Sequence, residues 1–270
     1  MGKVKIKRKS TLIDMTAMSD VTVLLLTFFM LTSTFLQKEP TIVYTPSSVS
    51  EEKVPTYDLV TVLVSSADKS GKLEDPSAAE GKLFISFTGG EDSTLSSEKV
   101  RIMMLQEAVS IYNDQHKNNP VELTTGEVAE FGKINMFGCP FSELKYMLGL
   151  SIADRDKFLG NMTDPRVGIP IDGNKNRDGR LNDFQVWLKA IYNVAQRINN
   201  EQCAGLTPEE ARQVQNLYAA LMRQGKGIAV KADKDTPFTV VQQVFDNLQT
   251  MKLNKFSLMT ALKSEDEPTQ

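Results

Sequence analysis

The chain has 270 residues, of which 41% are apolar, and a formal net charge of −3. This length accommodates a membrane segment together with one large domain or two small ones. Five of the 31 basic residues fall within the first nine positions, and only two of the 34 acidic residues precede position 37. The long remainder is therefore mildly acidic, which argues against a nucleic-acid partner.

An apolar stretch follows the basic N-terminal tail. Residues 15–36 form a run of 22 residues in which Asp20 is the only ionisable side chain. At 1.5 Å per residue, a helix of this length measures about 33 Å, which is enough for the roughly 30 Å core of a bilayer. Basic clusters beside a membrane helix remain cytoplasmic, so we expect residues 1–14 inside the cell and the chain from residue 37 onwards in the periplasm.

A cleaved signal peptide is the alternative interpretation, because it also begins basic and then becomes apolar. Its apolar region spans only about 7–15 residues, and residues 32–40 contain no convincing small-x-small cleavage site. The sequence therefore predicts an uncleaved, single-pass transmembrane helix over residues 15–36 in a bacterial inner membrane.

An acid within an apolar helix requires an explanation. An ionised carboxylate at the centre of a membrane helix costs about 2.5–3.5 kcal/mol on insertion scales, and such residues usually have a function. With about 100° per residue, one stripe of the helix contains Asp20 together with Thr16, Leu24, Thr27, Leu31 and Thr34. Desolvation favours the protonated form of a carboxyl group, so we expect Asp20 to load and release a proton, with Thr16, Thr27 and Thr34 as a supporting polar face. The alternatives are an interfacial position for Asp20 or a basic partner elsewhere.

The remainder of the chain indicates one α/β (α+β) domain. Pro40, Pro46 and Pro55 punctuate residues 37–56, which are typical of an extended linker. Alternating apolar residues predict strands over residues 57–65 and 82–88, and a helix follows over residues 96–115.

A largely helical segment interrupts this domain. Residues 117–206 are predicted to be an insertion, so that residues 57–262 form the periplasmic domain and residues 263–270 a C-terminal tail. Helices are predicted near residues 141–150, 181–199 and 207–224.

Other candidate sites are weak. Residues 174–185 have the oxygen spacing of a calcium loop, but Asn174 replaces the usual first Asp and Gln185 the usual last Glu, which favours a polar turn. Cys139 and Cys203 would face an oxidising periplasm, where either a disulfide or two free thiols is possible. A single His116, no Gly-rich phosphate loop and no nucleophile–base set lead us to expect no metal, no cofactor and no enzymatic activity.

Two motifs resemble the ExbD/TolR family of biopolymer transport proteins. The segment IDMTAMSDVTVLLLTFFMLT is similar to the entrance of that family's membrane helix, with Ala17 replacing the usual Pro and Ser19 the usual apolar residue. The segment GIAVKADKDTPFTVVQQVFDNLQTMKLNKFSLMTAL resembles its closing strand–helix–strand unit. The enlarged periplasmic domain is similar to that of family members from Bacteroidota-like bacteria.

The resemblance implies a motor subunit driven by the proton motive force. Two copies of the chain would lie inside a ring of ExbB/TolQ-like subunits, Asp20 would carry the proton, and a TonB-like energy transducer would receive the motion. A TolR-like role in envelope maintenance and a membrane-anchored periplasmic scaffold without proton transfer remain open. A flagellar-stator subunit would need a peptidoglycan-binding domain, for which the sequence shows no convincing signature.

Overall fold

The computed structural model describes most of the chain in several stretches. These are residues 15–32, 39–41, 43–48, 58–66, 81–89, 96–171, 179–206, 209 and 227–262. The chain divides into two compact units, Met1–Lys38 and Glu39–Gln270. Each unit is described by itself.

The first unit contains helix α1, Met15–Thr32. Its 18 residues include neither Gly nor Pro, so no residue interrupts the backbone hydrogen bonds. The helix confirms the predicted helical conformation up to Thr32, whereas residues 33–36 lie outside the described residues.

The second unit is built on a mixed β-sheet. Its strands are β2 (Val60–Ser66), β3 (Gly81–Phe87), β4 (Met136–Phe137), β5 (Ile169–Pro170), β6 (Ile228–Ala232) and β7 (Ser257–Met259). The order is β4-β3-β2-β6-β7, and β5 also pairs with β3. Strand β2 is antiparallel to β3, with Val60 opposite Phe87, and parallel to β6, with Val60 opposite Ile228. The predicted strands over residues 57–65 and 82–88 are confirmed.

Six helices accompany this sheet within the described residues. They are α2 (Ser97–Gln115), α3 (Thr125–Lys133), α4 (Phe141–Gly149), α5 (Ile152–Gly160), α6 (Asp183–Cys203) and α7 (Phe238–Thr250). Local capping fixes several starts: Thr124 and Glu127 form a reciprocal capping box on α3, and Asn182 and Gln185 form another on α6. The predicted helices over 96–115, 141–150 and 181–199 are confirmed, as is the closing strand–helix–strand unit, while the helix predicted over 207–224 falls almost wholly outside the described residues.

The segment 117–206 shares the core of the sheet. Trp187 of α6 is buried, and its ring lies 4.7 Å from that of Phe137, 5.2 Å from that of Phe141 and 6.1 Å from that of Phe87. Strands β4 and β5 come from this segment and pair with β3. The residues predicted to be an insertion therefore contribute both strands and core side chains to the domain.

Part of the predicted linker docks on the domain. Residues 39–48, described except for Ile42, are called the strap below. Strand β1 (Ser47–Ser48) of the strap pairs in parallel with β8 (Ala261–Leu262). The half-buried side chain of Val43 packs against the domain core. These residues belong to the same compact unit as the sheet.

Candidate functional site

Helix α1 places Asp20 in its second turn, on an exposed surface. Leu24, Thr27 and Leu31 follow on the same stripe, as the spacing of about 100° per residue requires. Thr16 is also part of this helix, and Thr34 lies outside the described residues. The structure thus brings Asp20, Thr16 and Thr27 onto one helix, as predicted.

Four hydroxyl groups of α1 donate to carbonyl oxygens of the helix backbone. Thr27 donates from Oγ1 to the carbonyl oxygen of Leu24 at 2.9 Å. Ser19, Thr22 and Thr32 donate to carbonyl oxygens three or four residues earlier, each at 2.8 Å. Thr27 therefore retains only acceptor capacity for a further partner, because its single O–H is already donated.

The remaining surface of α1 is apolar and exposed. The side chains of Phe29 and Leu31 are 65% and 87% exposed. The exposed fractions of the other large apolar side chains of the helix lie between 49% and 73%. A shallow groove next to Asp20 is lined by Val21, Leu24, Leu25, Thr27, Phe28 and Leu31. Apolar surface of this extent on a single element usually marks contact with a membrane or another protein.

Among the described residues, no helix is both long enough and apolar enough to cross a bilayer.

A second candidate acid, Asp58, is buried just before the first long strand of the sheet, whereas Asp20 is exposed. Asp58 has a positive φ of 53° and an exposed fraction of 9%. Its Oδ1 is buried, with no hydrogen-bond partner among the described residues, and burial raises the pKa of this carboxyl to about 6. Sequence reasoning did not find Asp58, because an Asp that precedes a strand has no local feature that reveals its burial.

The other candidate sites were a calcium-like loop, a metal site and a disulfide. The calcium-like loop 174–185 lies largely outside the described residues. Among the residues that the structure does describe, no group of three or more His, Cys, Asp or Glu side chains is placed to hold a metal ion. Cys139 and Cys203 are both free thiols, the first buried and the second partly exposed, so the disulfide alternative is not realised.

A protein-family model matches the N-terminal part of the chain. The model of the family described as "Biopolymer transport protein ExbD/TolR" matches residues 7–135, a range that includes α1, Asp20, the strap and the first two long strands of the sheet. Residues 7–135 are therefore similar to the ExbD/TolR family of biopolymer transport proteins.

No curated protein matches the chain. No solved structure matches it either.

Proposed function

We propose that this chain is the proton-carrying subunit of an inner-membrane motor of the ExbB–ExbD type, which energises TonB-dependent outer-membrane transport. The observation that carries the proposal is the position of Asp20, an acid on an exposed apolar helix whose Ser19, Thr22, Thr27 and Thr32 hydroxyls bond to their own backbone. The match of residues 7–135 to the ExbD/TolR family supports the proposal, since proteins of that family are transport or motor components.

The proposed arrangement places residues 15–36 in the inner membrane, with the N-terminus in the cytoplasm and the domain that contains the sheet in the periplasm. The basic tail supports this orientation. Proteins of this family generally work with ExbB/TolQ-type and TonB-type partners. We therefore place a dimer of this chain inside a ring of ExbB/TolQ-like subunits, with a TonB-like transducer as the recipient of the motion.

The chemistry depends on a change of charge at one carboxyl group. Ionised Asp20 would require polar groups of the ring, because an unpaired charge at the centre of a membrane helix costs about 2.5–3.5 kcal/mol on insertion scales. Protonated Asp20 tolerates apolar surface and can move past it. Each proton that crosses supplies about 2.3 kcal/mol per 100 mV of membrane potential, which alternate loading would convert into rotation.

The test is Asp20→Asn in the full chain, produced together with its ring subunits. Asn is nearly isosteric and still forms hydrogen bonds, but it cannot bind and release a proton. We expect membrane insertion and ring assembly to persist while energy-dependent transport is abolished. Asp20→Glu should retain partial transport, and Asp14→Asn serves as the control because Asn caps a helix as well as Asp does.

The same strains separate the possible roles. Transport at the normal rate in Asp20→Asn would show that the acid is structural and would overturn the proton-carrier role, leaving a membrane-anchored scaffold. Loss of envelope integrity without loss of outer-membrane uptake would instead indicate a TolR-like motor.

A further inference from the structure

A cavity of about 290 Å³ opens where the end of α2, the segment that follows it and the start of α4 meet. Its wall includes the rings of Tyr112 and Phe141 and the aliphatic side chain of Val121. Its rim has four exposed polar side chains, which are Asn119, Glu122, Ser142 and Lys145. Small-molecule sites combine an apolar interior with a few polar groups, and this cavity lies at the small end of their size range.

The wall of the cavity is held by contacts within the protein. The Asn113 side chain accepts a hydrogen bond from the N–H of Val121 at 2.8 Å and donates one to its carbonyl oxygen at 3.0 Å. These bonds hold the segment after α2 against that helix. The ring centroid of Phe141 lies 4.5 Å from that of Tyr112 and 5.2 Å from that of the buried Trp187. The cavity is therefore preformed, so a ligand does not have to order its wall.

The aromatic wall presents ring edges to the cavity. The Tyr112 ring is stacked between Phe141 and His116, whose centroid lies 4.1 Å away. The other face of Phe141 is stacked on Trp187. A flat ligand, such as a nucleobase or a sugar ring, finds no free aromatic face here. The wall therefore favours an aliphatic or aromatic side chain that needs only apolar contact.

Two opposite charges lie on the rim. Nζ of Lys145 donates to the backbone carbonyl oxygen of Glu122 at 3.4 Å, so the ammonium group lies beside that residue. Within the part of the chain that the structure describes, neither side chain forms an ion pair. Glu127 also faces Lys145, but its carboxylate accepts hydrogen bonds from the N–H and the hydroxyl of Thr124 at 2.7 and 2.9 Å. The rim thus offers a ligand one ammonium and one carboxylate.

The lining comes from two parts of the chain. Its residues between 112 and 122 fall within the range 7–135 that matches the family model, whereas those between 141 and 145 come after it. The cavity therefore depends on the central segment of the domain, for which the proposed function supplies no role.

We propose that this cavity binds an apolar α-amino acid in its zwitterionic form. The carboxylate of the ligand faces the ammonium of Lys145, and the amino group of the ligand faces the carboxylate of Glu122. Its side chain lies against Tyr112 and Val121. A ligand with a single charge is attracted by one of the two rim groups and repelled by the other, which gives the site its preference. The site is independent of the proton-carrier role of Asp20.

The first test compares ligands that differ only in charge. Leucine and phenylalanine are the zwitterionic probes. Their amides retain the amino group but lack the carboxylate, and their N-acetyl forms retain the carboxylate but lack the charged amino group. Calorimetric titration uses the full chain in lipid nanodiscs, with empty nanodiscs subtracted. We expect at least one zwitterion to bind about five- to tenfold more tightly than either of its blocked forms.

Two results of this titration would overturn the proposal. One is the absence of binding by both zwitterions up to about 10 mM, a concentration that detects even a weak small-molecule site. The other is equal binding of a zwitterion and its two blocked forms, since the two rim charges would then have no part in recognition.

The second test changes the rim charges one at a time. Lys145→Met and Glu122→Gln should each weaken binding of the zwitterion about five- to tenfold. Lys189→Met and Glu201→Gln make the same changes at exposed positions of α6 outside the lining, and they should leave binding unchanged. Near-ultraviolet circular dichroism checks that all four variants remain folded.

The blocked ligands separate recognition of charge from a change in shape. Glu122→Gln removes the repulsion of a carboxylate, so the N-acetyl form should bind this variant more tightly than it binds the unchanged protein. Lys145→Met should likewise bind the amide more tightly. Weaker binding of every ligand by both variants would show that the substitutions only damage the cavity and would overturn the assigned charge contacts. Energy-dependent transport by Asp20→Asn is measured separately, so the proton-carrier role can fail without affecting this result.

Discussion

Gln185 donates from Nε2 to Oδ1 of Asn247 at 2.9 Å, which connects α6 to α7 inside the core. Nδ2 of Asn182 donates to the same oxygen at 2.9 Å. Nδ2 of Asn247 donates to the carbonyl oxygen of Gln243 at 2.7 Å. The central segment and the C-terminal helix are therefore joined by a buried network in which the amide of Asn247 is satisfied on both sides.

Replacing Asn247 by Leu should lower the free energy of unfolding by about 1–3 kcal/mol, because the buried Gln185 and the half-buried Asn182 would each lose their hydrogen bond to Oδ1 of Asn247. The double variant with Gln185→Leu should cost less than the sum of the two single changes, since both single changes break the same hydrogen bond between Gln185 and Asn247. Denaturant unfolding of the unchanged protein, the two single variants and the double variant measures the coupling free energy between Gln185 and Asn247. Additive losses would show that the hydrogen bond from Gln185 to Asn247 does not link the helices energetically.

Removing residues 117–206 should prevent folding of the remaining sheet. The deletion takes away Trp187 and exposes Phe87, whose ring it covers at 6.1 Å. Trp187→Ala is the milder change and should cost about 3–5 kcal/mol. Cooperative unfolding of the shortened chain, followed by near-ultraviolet circular dichroism, would contradict a shared core.

Much of the fold could be predicted because its signals are local. Alternation identified β2 and β3, and apolar residues on one face identified α2. The shared core could not be predicted in the same way, because β4 and β5 have two residues each and exist only through pairing with β3. The docking of the strap could not be predicted for the same reason, since its Pro residues indicated a linker and its partners in β8 lie more than 200 positions away along the chain.

The candidate site residues also divide into those that the sequence reveals and those that only the structure reveals. Asp20 could be identified from sequence because a charge within an apolar run is visible without knowledge of any contact. Asp58 could not, because its burial arises from tertiary packing at the start of the sheet.

Asp58→Asn should stabilise the protein near pH 7.5 by something on the order of 1 kcal/mol. Burial raises the pKa of Asp58 from 3.8 to about 6. The folded state therefore binds this proton more tightly than the unfolded state does. The stability that results is fully present below about pH 4 and is lost as the pH rises through about 6. Asn has no charge to desolvate, and it tolerates a positive φ better than most residues.

The comparison requires unfolding free energies of both proteins between pH 4 and pH 8. The advantage of Asn should shrink towards zero near pH 4. An advantage independent of pH would contradict titration of Asp58 as its cause.

The two cysteines should react very differently with a thiol reagent. Burial, followed by the nearby charges of Asp183 and Glu143, raises the pKa of the Cys139 thiol far above its usual range. Cys203 is only partly buried. Since the thiolate is the reactive form, we expect one label per native chain and two after denaturation, counted by mass spectrometry. Two labels at comparable rates in the native protein would show that the core around Cys139 opens readily.

Thr27→Val should reduce energy-dependent transport less than tenfold, whereas Asp20→Asn should abolish it. The Thr27 hydroxyl already donates to the carbonyl oxygen of Leu24 at 2.9 Å, so Val removes a bond within the helix and one acceptor oxygen on the stripe of Asp20. Thr27→Ser, which retains the hydroxyl, is the matched control and should transport at nearly the normal rate. The measurement is the rate of uptake per assembled complex, so that differences in expression cancel. A loss as complete as that of Asp20→Asn would mean that the oxygen of Thr27 is itself required for proton transfer, because the backbone bond from its hydroxyl cannot account for an effect of that size.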